Sequence, residues 1–582
     1  MRRAVFESFD GSRSRWQAAF DSPREVLTAR DFPEVLAALR LAEDESERGR
    51  WAVVMLAYES APAFDAALSA HPASGFPLAT VAIFDHPSPA AKTPPEDHTA
   101  GNYRASAWEP LVSRGSYLNA VQKIREHIAS GDTYQVNYTI PLKCGFEGDP
   151  WSWYLELGAA QGARYSAYLD LGRHQVISLS PELFFERRGE QLITRPMKGT
   201  MPRGRWAGED DSQAARLAAC PKNRAENVMI VDLLRNDLGR VSEAGSVRVS
   251  RLFDVERYPT ILQMTSTVES VCKPGLKLTD TVRALFPCGS ITGAPKVRTT
   301  EIIREMEPFP RGLYTGAIGV VRPGGDCVFN VAIRTLVLDT RAGEATFGVG
   351  GGITYDSTPE AEFEECMLKA RFLDQRRPEF RLLETMLLEE GQFFLLERHV
   401  QRLAASARYF NFPCDEGEVR SALEQTRLDH PRGRRRVRLL VDEGGRVSVE
   451  SSELEDESGK VWRVRLAPEP IDRLDPFIHN KTTNRRAYGQ ALSKPPDCDD
   501  LIFWNEAGEV TESSVANIVF TAEGRVWTPP QSSGLLRGTL RDELLARGEL
   551  HERVIHKDEL RRAAPLFLIN SVRKWGRAVL VD

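Results

Sequence analysis

A chain of 582 residues exceeds what a single hydrophobic core organises, so the sequence must divide into at least two domains. With 42% hydrophobic and 27% charged residues it has the balance of ordinary globular folds, and a net charge of −6 leaves no basic footprint for nucleic acid. The eight cysteines form no CxxC pair or Cys/His cluster, which argues against a disulfide framework or a structural zinc, and no apolar run is long enough for a signal peptide core or a membrane span. A cytoplasmic location is expected, with no membrane and no nucleic-acid partner.

Residues 1 to about 90 mix short apolar runs, such as Trp51 to Ala57, with polar stretches, and PSPAAKTPPEDHTAG (87–101) reads as a loop. From Ser116 the spacing of Tyr117, Val121, Ile124 and Ile128 predicts a helix. YSAYLDL, QVISLS, ELFFERR and QLITRP then predict antiparallel hairpins. Ala225–Leu238 is a second apolar-periodic helix, FNVAIRTLVLD and EATFGVGGGITY are strands, and TPEAEFEECMLKARFLDQ is a helix.

QRRPEF (375–380) marks a boundary, because helices end before proline. The pattern then restarts: residues 381–410 predict a hairpin turning at Gly391, followed by a helix. The run Arg432 to Arg438 reads as the solvated start of a strand, and SSELEDESGK (451–460) resembles low complexity. ANIVFTAEGRVWTPP predicts a hairpin turning at Glu523-Gly524. The composition of elements is α+β twice over, with domains expected at 1–375 and 380–582.

Three local strings in the first part carry chemistry. RPMKGTMPRG places Lys198 directly after a strand and between prolines; KNRAENVMIVDLLRNDLGR puts Glu226 on a helix; STPEAEFEECMLKA puts Glu362 and Glu365 on one helix face. Carboxylates on two helices suit a hard cation such as Mg²⁺. On spacing alone, an exposed lysine and a solvated acidic face explain these residues as well.

Taken in order, GDTYQVNYT, SLSPELFF, RPMKGT, AENVMIVDLLRNDLGR, FPCGSITGAPK, YTGAIG, NVAIRTL, GVGGGI and PEAEFEECMLKA closely resemble the chorismate-utilising enzymes, over roughly residues 116–374. That family includes anthranilate, isochorismate and aminodeoxychorismate synthases. The resemblance implies a large α/β sandwich of antiparallel sheets flanked by helices. PxKGT with Lys198 resembles the aminodeoxychorismate synthases, in which the lysine amine attacks the ring and ammonia then displaces it. Glu182 of SPELF matches the general acid to the departing hydroxyl. Gln263 stands where similar anthranilate synthases carry His, which implies that this domain stops at the amino intermediate. The resemblance further implies Mg²⁺ on Glu226, Glu362 and Glu365. It places the substrate carboxylates on Tyr314 and Arg334, with amides around Thr200 and Gly350, Gly351 and Gly352. Asn223 departs from the acidic residue of many relatives. FPCGSITGAPK by itself reads as a Gly/Pro turn, and its Cys288 lacks the surroundings of a glutaminase nucleophile. Ammonia is therefore expected from a separate glutamine amidotransferase subunit, or free from solution.

In the second part, HxxRL, KxxNR, ExTES…AN and GxxRG are similar to the fold-type IV pyridoxal-phosphate enzymes, over roughly 380–582. Singly, Lys481 reads as a surface residue, Glu512 as a cap and Arg402 as an exposed helix charge. The resemblance implies pyridoxal 5′-phosphate bonded to Lys481, which stands at the head of an expected helix. It also implies Glu512 against the pyridine nitrogen, just before a strand. Arg402, the Leu536 and Arg537 amides and Ser571 would hold the phosphate. A homodimer through this domain is a further expectation. Together the two resemblances imply amination of chorismate to 4-amino-4-deoxychorismate, then elimination of pyruvate to p-aminobenzoate. An amino-acid aminotransferase, or a domain that only scaffolds the amidotransferase, remains the alternative for the second part.

Overall fold

The computed structural model describes residues 1–10, 15–73, 75–88, 102–374, 378–455, 457, 459–563 and 565–581. Most of the loop expected over 87–101, residues 375–377 of the expected boundary, and positions 456 and 458 of the acidic stretch lie outside the described residues. The chain forms two compact units, Met1–Arg203 with Ala214–Arg377 and Gly204–Gln213 with Pro378–Asp582. Among the described residues no helix is long and apolar enough to cross a membrane.

The first unit contains two ten-stranded sheets, and their pairings are antiparallel. The strand Trp51–Leu56, WAVVML, is apolar throughout because both of its faces are covered. Val53 and Met55 enter a core with Phe6, Phe20 and Val176 of the other sheet. Ala52, Val54 and Leu56 pack instead with Val35 and Leu39 of the helix Phe32–Glu47 and with Val231 and Leu238 of the helix Pro221–Val241. On the far side, Ile177 and Leu179 pack against Tyr117, Val121 and Ile124 of the helix Arg114–Ala129. The layers therefore run helix, sheet, sheet, helix, as the family resemblance implied.

Two features of this sandwich were not visible in the alternation pattern. His174–Ser180 pairs with Thr335–Asp339 in one sheet, while Leu183–Arg188 pairs with Cys327–Val331 in the other. A two-strand ribbon thus leaves one sheet and joins the other, with Pro181-Glu182 and Ile333-Arg334 at its two crossings. The crossings are tied together: Val331 N–H donates to the Glu182 carbonyl (3.1 Å) and Leu179 N–H to the Arg334 carbonyl (2.9 Å). Arg334 makes the bend at φ +50°, so FNVAIRTLVLD is two strands in two sheets. Lys198 follows the strand Gln191–Arg195, as expected, and itself lies inside a further strand, Met197–Pro202. The register of that strand against Ile261–Val271 shifts between Met197 and Thr200, and Gly199 adopts φ +100°. Such an irregularity re-aims a side chain out of the regular ladder.

The second unit has a four-stranded and an eight-stranded sheet. Leu382, Met386, Val437 and Leu439 bury one face of the smaller sheet against Leu403 and Ala407 of the helix Leu396–Phe410 and Val419 and Leu423 of the helix Glu416–Asp429. The turns expected at Gly391 and Glu523-Gly524 are present, with positive φ at all three residues. No α-helix begins at Lys481. Its carbonyl accepts from Leu383 N–H (3.0 Å), Thr482 bridges to Leu382, and the following helical segment is a 3₁₀ helix, Arg486–Ser493. Asn484 N–H donates to the Thr482 hydroxyl (3.2 Å), a local bond that competes with helix formation. Glu512 also stands within a strand, Val510–Ser513, opposite Asn517.

Candidate active sites

All the residues singled out for the first site line one cavity of about 420 Å³: Glu182, Lys198, Thr200, Glu226, Tyr314, Arg334, Gly350, Gly351, Gly352, Glu362 and Glu365, with Asn223 and Gln263. The sheet irregularity delivers Lys198, and the ribbon crossings deliver Glu182 and Arg334. Burial pulls the Lys198 amine down from its ordinary pKa. Burial likewise pushes the Glu182 carboxyl up to about 7, against the opposing effects of Ser290 and Lys198. Near neutrality an amine drawn toward its free-base form thus shares a cavity with a carboxyl drawn toward its protonated form. That is the combination required by a nucleophile and a general acid.

Arg334 has lost its solvent without gaining a partner at one end. Its Nη1 is out of contact with water and lacks a hydrogen bond among the described residues, and its guanidinium lies 5.9 Å from the Tyr258 ring centroid. An orphaned, buried guanidinium nitrogen costs stability unless an anion meets it. Gln263 donates to the Gly199 carbonyl (2.9 Å) and accepts from the Thr200 hydroxyl (3.0 Å), so it braces the strand that carries Lys198.

Three residues here escaped sequence reasoning. The hydroxyl of Ser290, in the segment read as a plain turn, donates to Glu182 Oε1 at 2.6 Å. Gln135 is fully buried, and its amide oxygen and nitrogen have no partner among the described residues. A Cβ added at Gly352 would fall 2.3 Å from both Gln135 Nε2 and Lys198 Nζ, so only glycine lets these groups approach. The visible signal was the polar row Gln135, Asn137 and Thr139 alternating with Val136, Tyr138 and Ile140. Lys369 donates to Glu365 (2.7 Å) and to the Gly350 carbonyl (2.9 Å). Cys288 is buried, which raises its thiol to about 12 and leaves it inert.

The expected metal ligands share the cavity but do not converge. Glu362 accepts from the Ser357 hydroxyl (2.6 Å), and Glu365 is held low by Lys369. Among the described residues no three His, Cys, Asp or Glu side chains are arranged to hold a metal. Their chemistry remains that of an all-oxygen donor set.

The second unit has its own cavity, of about 310 Å³, lined by Arg402, Lys481, Glu512, Leu536 and Ser571. Burial, with Arg402 and Arg485 nearby, lowers Lys481 to about 8, and burial raises Glu512 to about 7. Glu512 Oε1 accepts from the Tyr488 hydroxyl (2.6 Å) and Leu536 N–H (3.0 Å), and Oε2 from Asn517 Nδ2 (3.1 Å). The Leu536 amide is therefore committed to the acid and is not free for a phosphate. Arg537 does not line the cavity; its side chain pairs with Asp542 (3.0 Å) and its carbonyl accepts from Arg402 (3.0 Å). Gly538 and Thr539 do line it, Thr539 being the first residue of the helix Thr539–Ala546, whose opening N–H groups have no intrahelical partner.

Arg402 is held by Glu384 through two bonds of 2.8 and 2.6 Å. Glu384 is buried, which opposes ionisation, yet Arg402 and His399 hold its carboxyl down at about 2. A Cβ at Gly538 would fall 2.0 Å from Asn517 Oδ1, so glycine is needed where the helix start approaches the acid. A basic nitrogen heterocycle with a phosphate and a carbonyl fits this set: an acid at one end, an amine, and an anion cup beside a fixed guanidinium.

Both units match known protein families. Residues 5–375 match the chorismate binding enzyme family and residues 381–581 match amino-transferase class IV. The chain belongs to the chorismate-binding enzyme family and carries a class IV aminotransferase domain after it. Aminodeoxychorismate synthase component 1 of Escherichia coli (strain K12) is 43% identical over 284 residues, 49% of this chain and 61% of that protein. The component 1 of Bacillus subtilis (strain 168) is 43% identical over 289 residues, 50% of this chain and 60% of that protein. The chain thus spans about 60% of the length of these curated relatives. Anthranilate synthase component I from Streptococcus pneumoniae TIGR4 shares the fold, with TM-score 0.53 and 23% identity over 64% of this chain and 92% of that one.

The electrostatics of the first site can be tested without turnover. Infrared difference spectra between pH 5 and 9 should contain a protonated-carboxyl band that disappears with a midpoint near 7, and Glu182→Gln should remove one component of it. An unchanged band in that variant would show that Glu182 is ionised throughout.

Proposed function

We propose that the chain makes p-aminobenzoate from chorismate and ammonia in two steps, one in each unit. The observation that carries the first step is Lys198, drawn toward its neutral form in a cavity with Glu182, whose carboxyl is raised to about 7, and with Arg334, whose Nη1 has no hydrogen-bond partner among the described residues. Chorismate is a dianion, and its carboxylates would meet Arg334 and the amides of the Gly350–Gly352 strand. Lys198 Nζ would attack the ring as the 4-hydroxyl leaves, Glu182 giving the proton that makes the leaving group water. Ammonia would then form the ring C–N bond at carbon 4 as the lysine C–N bond breaks, so that only water is lost overall. Glu226, Glu362 and Glu365, which line the cavity without converging, are the residues that would hold Mg²⁺ once drawn together with a substrate carboxylate, the ion supplying positive charge among these acids. Ammonia would come from a separate amidotransferase, as the component 1 names of the relatives suggest.

In the second unit, pyridoxal 5′-phosphate would supply an electron sink to the amine of 4-amino-4-deoxychorismate. Lys481 would bond the cofactor and then take the proton from the carbon bearing nitrogen. Glu512 would face the pyridine nitrogen, and Arg402, Thr539 and Ser571 the phosphate. As that C–H breaks, the enolpyruvyl C–O bond breaks too, pyruvate leaves, and the ring becomes aromatic. The raised Glu512 and lowered Lys481 support this assignment.

Two experiments test the reading. Lys481→Ala should lose the visible absorbance of the bound cofactor and accumulate 4-amino-4-deoxychorismate, while chorismate consumption stays within about twofold, since the units have separate cores. Normal p-aminobenzoate formation by that variant would refute the role of Lys481. With ammonium as nitrogen source, EDTA should stop chorismate consumption and leave pyruvate release from added 4-amino-4-deoxychorismate intact. Undiminished consumption in EDTA would make the three glutamates structural.

A further inference from the structure

The basic run around residues 432–438 is the solvated start of a strand, with Arg432 and Arg436 exposed, and it also borders a cavity. Arg434–Val441 is a strand whose Val437, Leu439 and Val441 are buried in the core, and period two then turns Arg436 and Arg438 to the opposite face. That face is a wall of the second cavity, where Arg436 and Arg438 join Leu383 and Thr385 of the neighbouring strand. Six cationic side chains line this cavity, Arg402, Arg436, Arg438, Lys481, Arg485 and Arg573, against one acid, Glu512.

Several of the six are already committed. Arg402 is held by Glu384, Arg573 pairs with Glu457, and Arg485 donates to the Ser514 carbonyl. Arg438 has a contact of 3.2 Å with Glu450, both side chains being well exposed, so this pair is weak and easily exchanged. Arg436 has no ion-pair partner among the described residues. Two arginines on a cavity wall, one without an ion-pair partner among the described residues and one in a weak exposed pair, suit an anion met in the bidentate manner.

Their register sets how far along the strand their backbone rows lie from that of Lys481. Lys481 is fixed to the strand Leu382–Glu389 through Leu383 N–H. Thr385, two residues on, stands opposite Arg438, and Leu387, four on, opposite Arg436. The Arg438 row therefore lies about 7 Å along the strand from the row that carries Lys481, and the Arg436 row about 14 Å. An α-amino acid carries its carboxylate on the very carbon that bears nitrogen, whereas a six-membered ring with an amine and a carboxylate on opposite carbons projects its carboxylate away from Lys481, in the direction of these rows.

We propose that Arg436 and Arg438 are the specificity-determining residues of the second site, binding a substrate carboxylate one ring width from the reacting amine and so favouring ring-borne amino acids over α-amino acids. This rests on the reading of that site as one that handles an amine beside Lys481, and it names which carboxylate is recognised and by what.

The test uses the full chain loaded with pyridoxal phosphate and titrated with three amines, followed by the change in its visible absorbance. Trans-4-aminocyclohexanecarboxylate should bind wild type at least about tenfold more tightly than cyclohexylamine, which lacks the carboxylate. The double variant R436Q/R438Q should lose that preference, with cyclohexylamine and alanine affinities and the resting absorbance unchanged. R436K/R438K, which keeps both charges, should retain most of it. Equal affinity of wild type for the two cyclic amines, a preference that survives in R436Q/R438Q, or an R436K/R438K variant as indifferent as R436Q/R438Q would overturn the proposal. Pyruvate release from 4-amino-4-deoxychorismate is scored separately: wild type that shows the preference yet releases no pyruvate rejects the elimination chemistry and not the arginine wall.

Discussion

Withdrawal of a lysine and a glutamate from water, in one cavity but out of salt-bridge contact, is the constraint on which both sites depend. Had Lys198 met Glu182 directly, or Lys481 met Glu512, each pair would have stayed ionised, an inert ammonium beside an inert carboxylate. Separation inside a poorly solvated cavity does the reverse: it lowers the amine and raises the acid, Glu182 and Glu512 both reaching about 7. Keeping such groups buried is unfavourable, so the surrounding fold must hold them there. In the first unit the ribbon that crosses between sheets and the irregular strand around Lys198 do this, backed by cores on both faces of each sheet. In the second, Glu512 is fixed by Tyr488, Asn517 and the Leu536 amide.

The two cavities present their arginines differently. Arg402 is held in place by Glu384, which under the proposed reading would suit a cofactor that stays bound. Arg334 keeps an unpaired nitrogen in the first cavity, so its desolvation is offset only when ligand is present. That asymmetry is what a resident cofactor and a transient substrate require.

Much of this was legible in the sequence, for reasons that also explain the remainder. Period-two and period-3.6 patterns located the hairpins, the helices bearing Glu226 and Glu362, and the turns at Gly391 and Glu523-Gly524, because those signals are local. The strings around Lys198 and Lys481 drew attention to residues that share two cavities. What the sequence withheld is nonlocal. Alternation is identical whether paired strands stay in one sheet or cross to another, so the bend at Arg334 was hidden inside one apparent strand. Ser290 meets Glu182 across 108 positions of chain, and nothing in PCGSITG announces that partner. Near Lys481 a helix was expected from composition, but hydrogen bonds of Thr482 and Asn484 to nearby backbone won. Of the neighbours expected to offer amides to a phosphate, Leu536 is spent on Glu512 and Arg537 does not line the cavity, whereas Gly538 and Thr539 do.

The central claim is that the two units perform successive steps on one ring. The most direct measurement is product analysis by mass spectrometry after incubating the intact chain with chorismate, ammonium, Mg²⁺ and pyridoxal phosphate, with no keto acid added. The account predicts p-aminobenzoate and pyruvate in equal amounts. Anthranilate as the aromatic product, or 4-amino-4-deoxychorismate that persists without pyruvate until a keto acid is supplied, would contradict it.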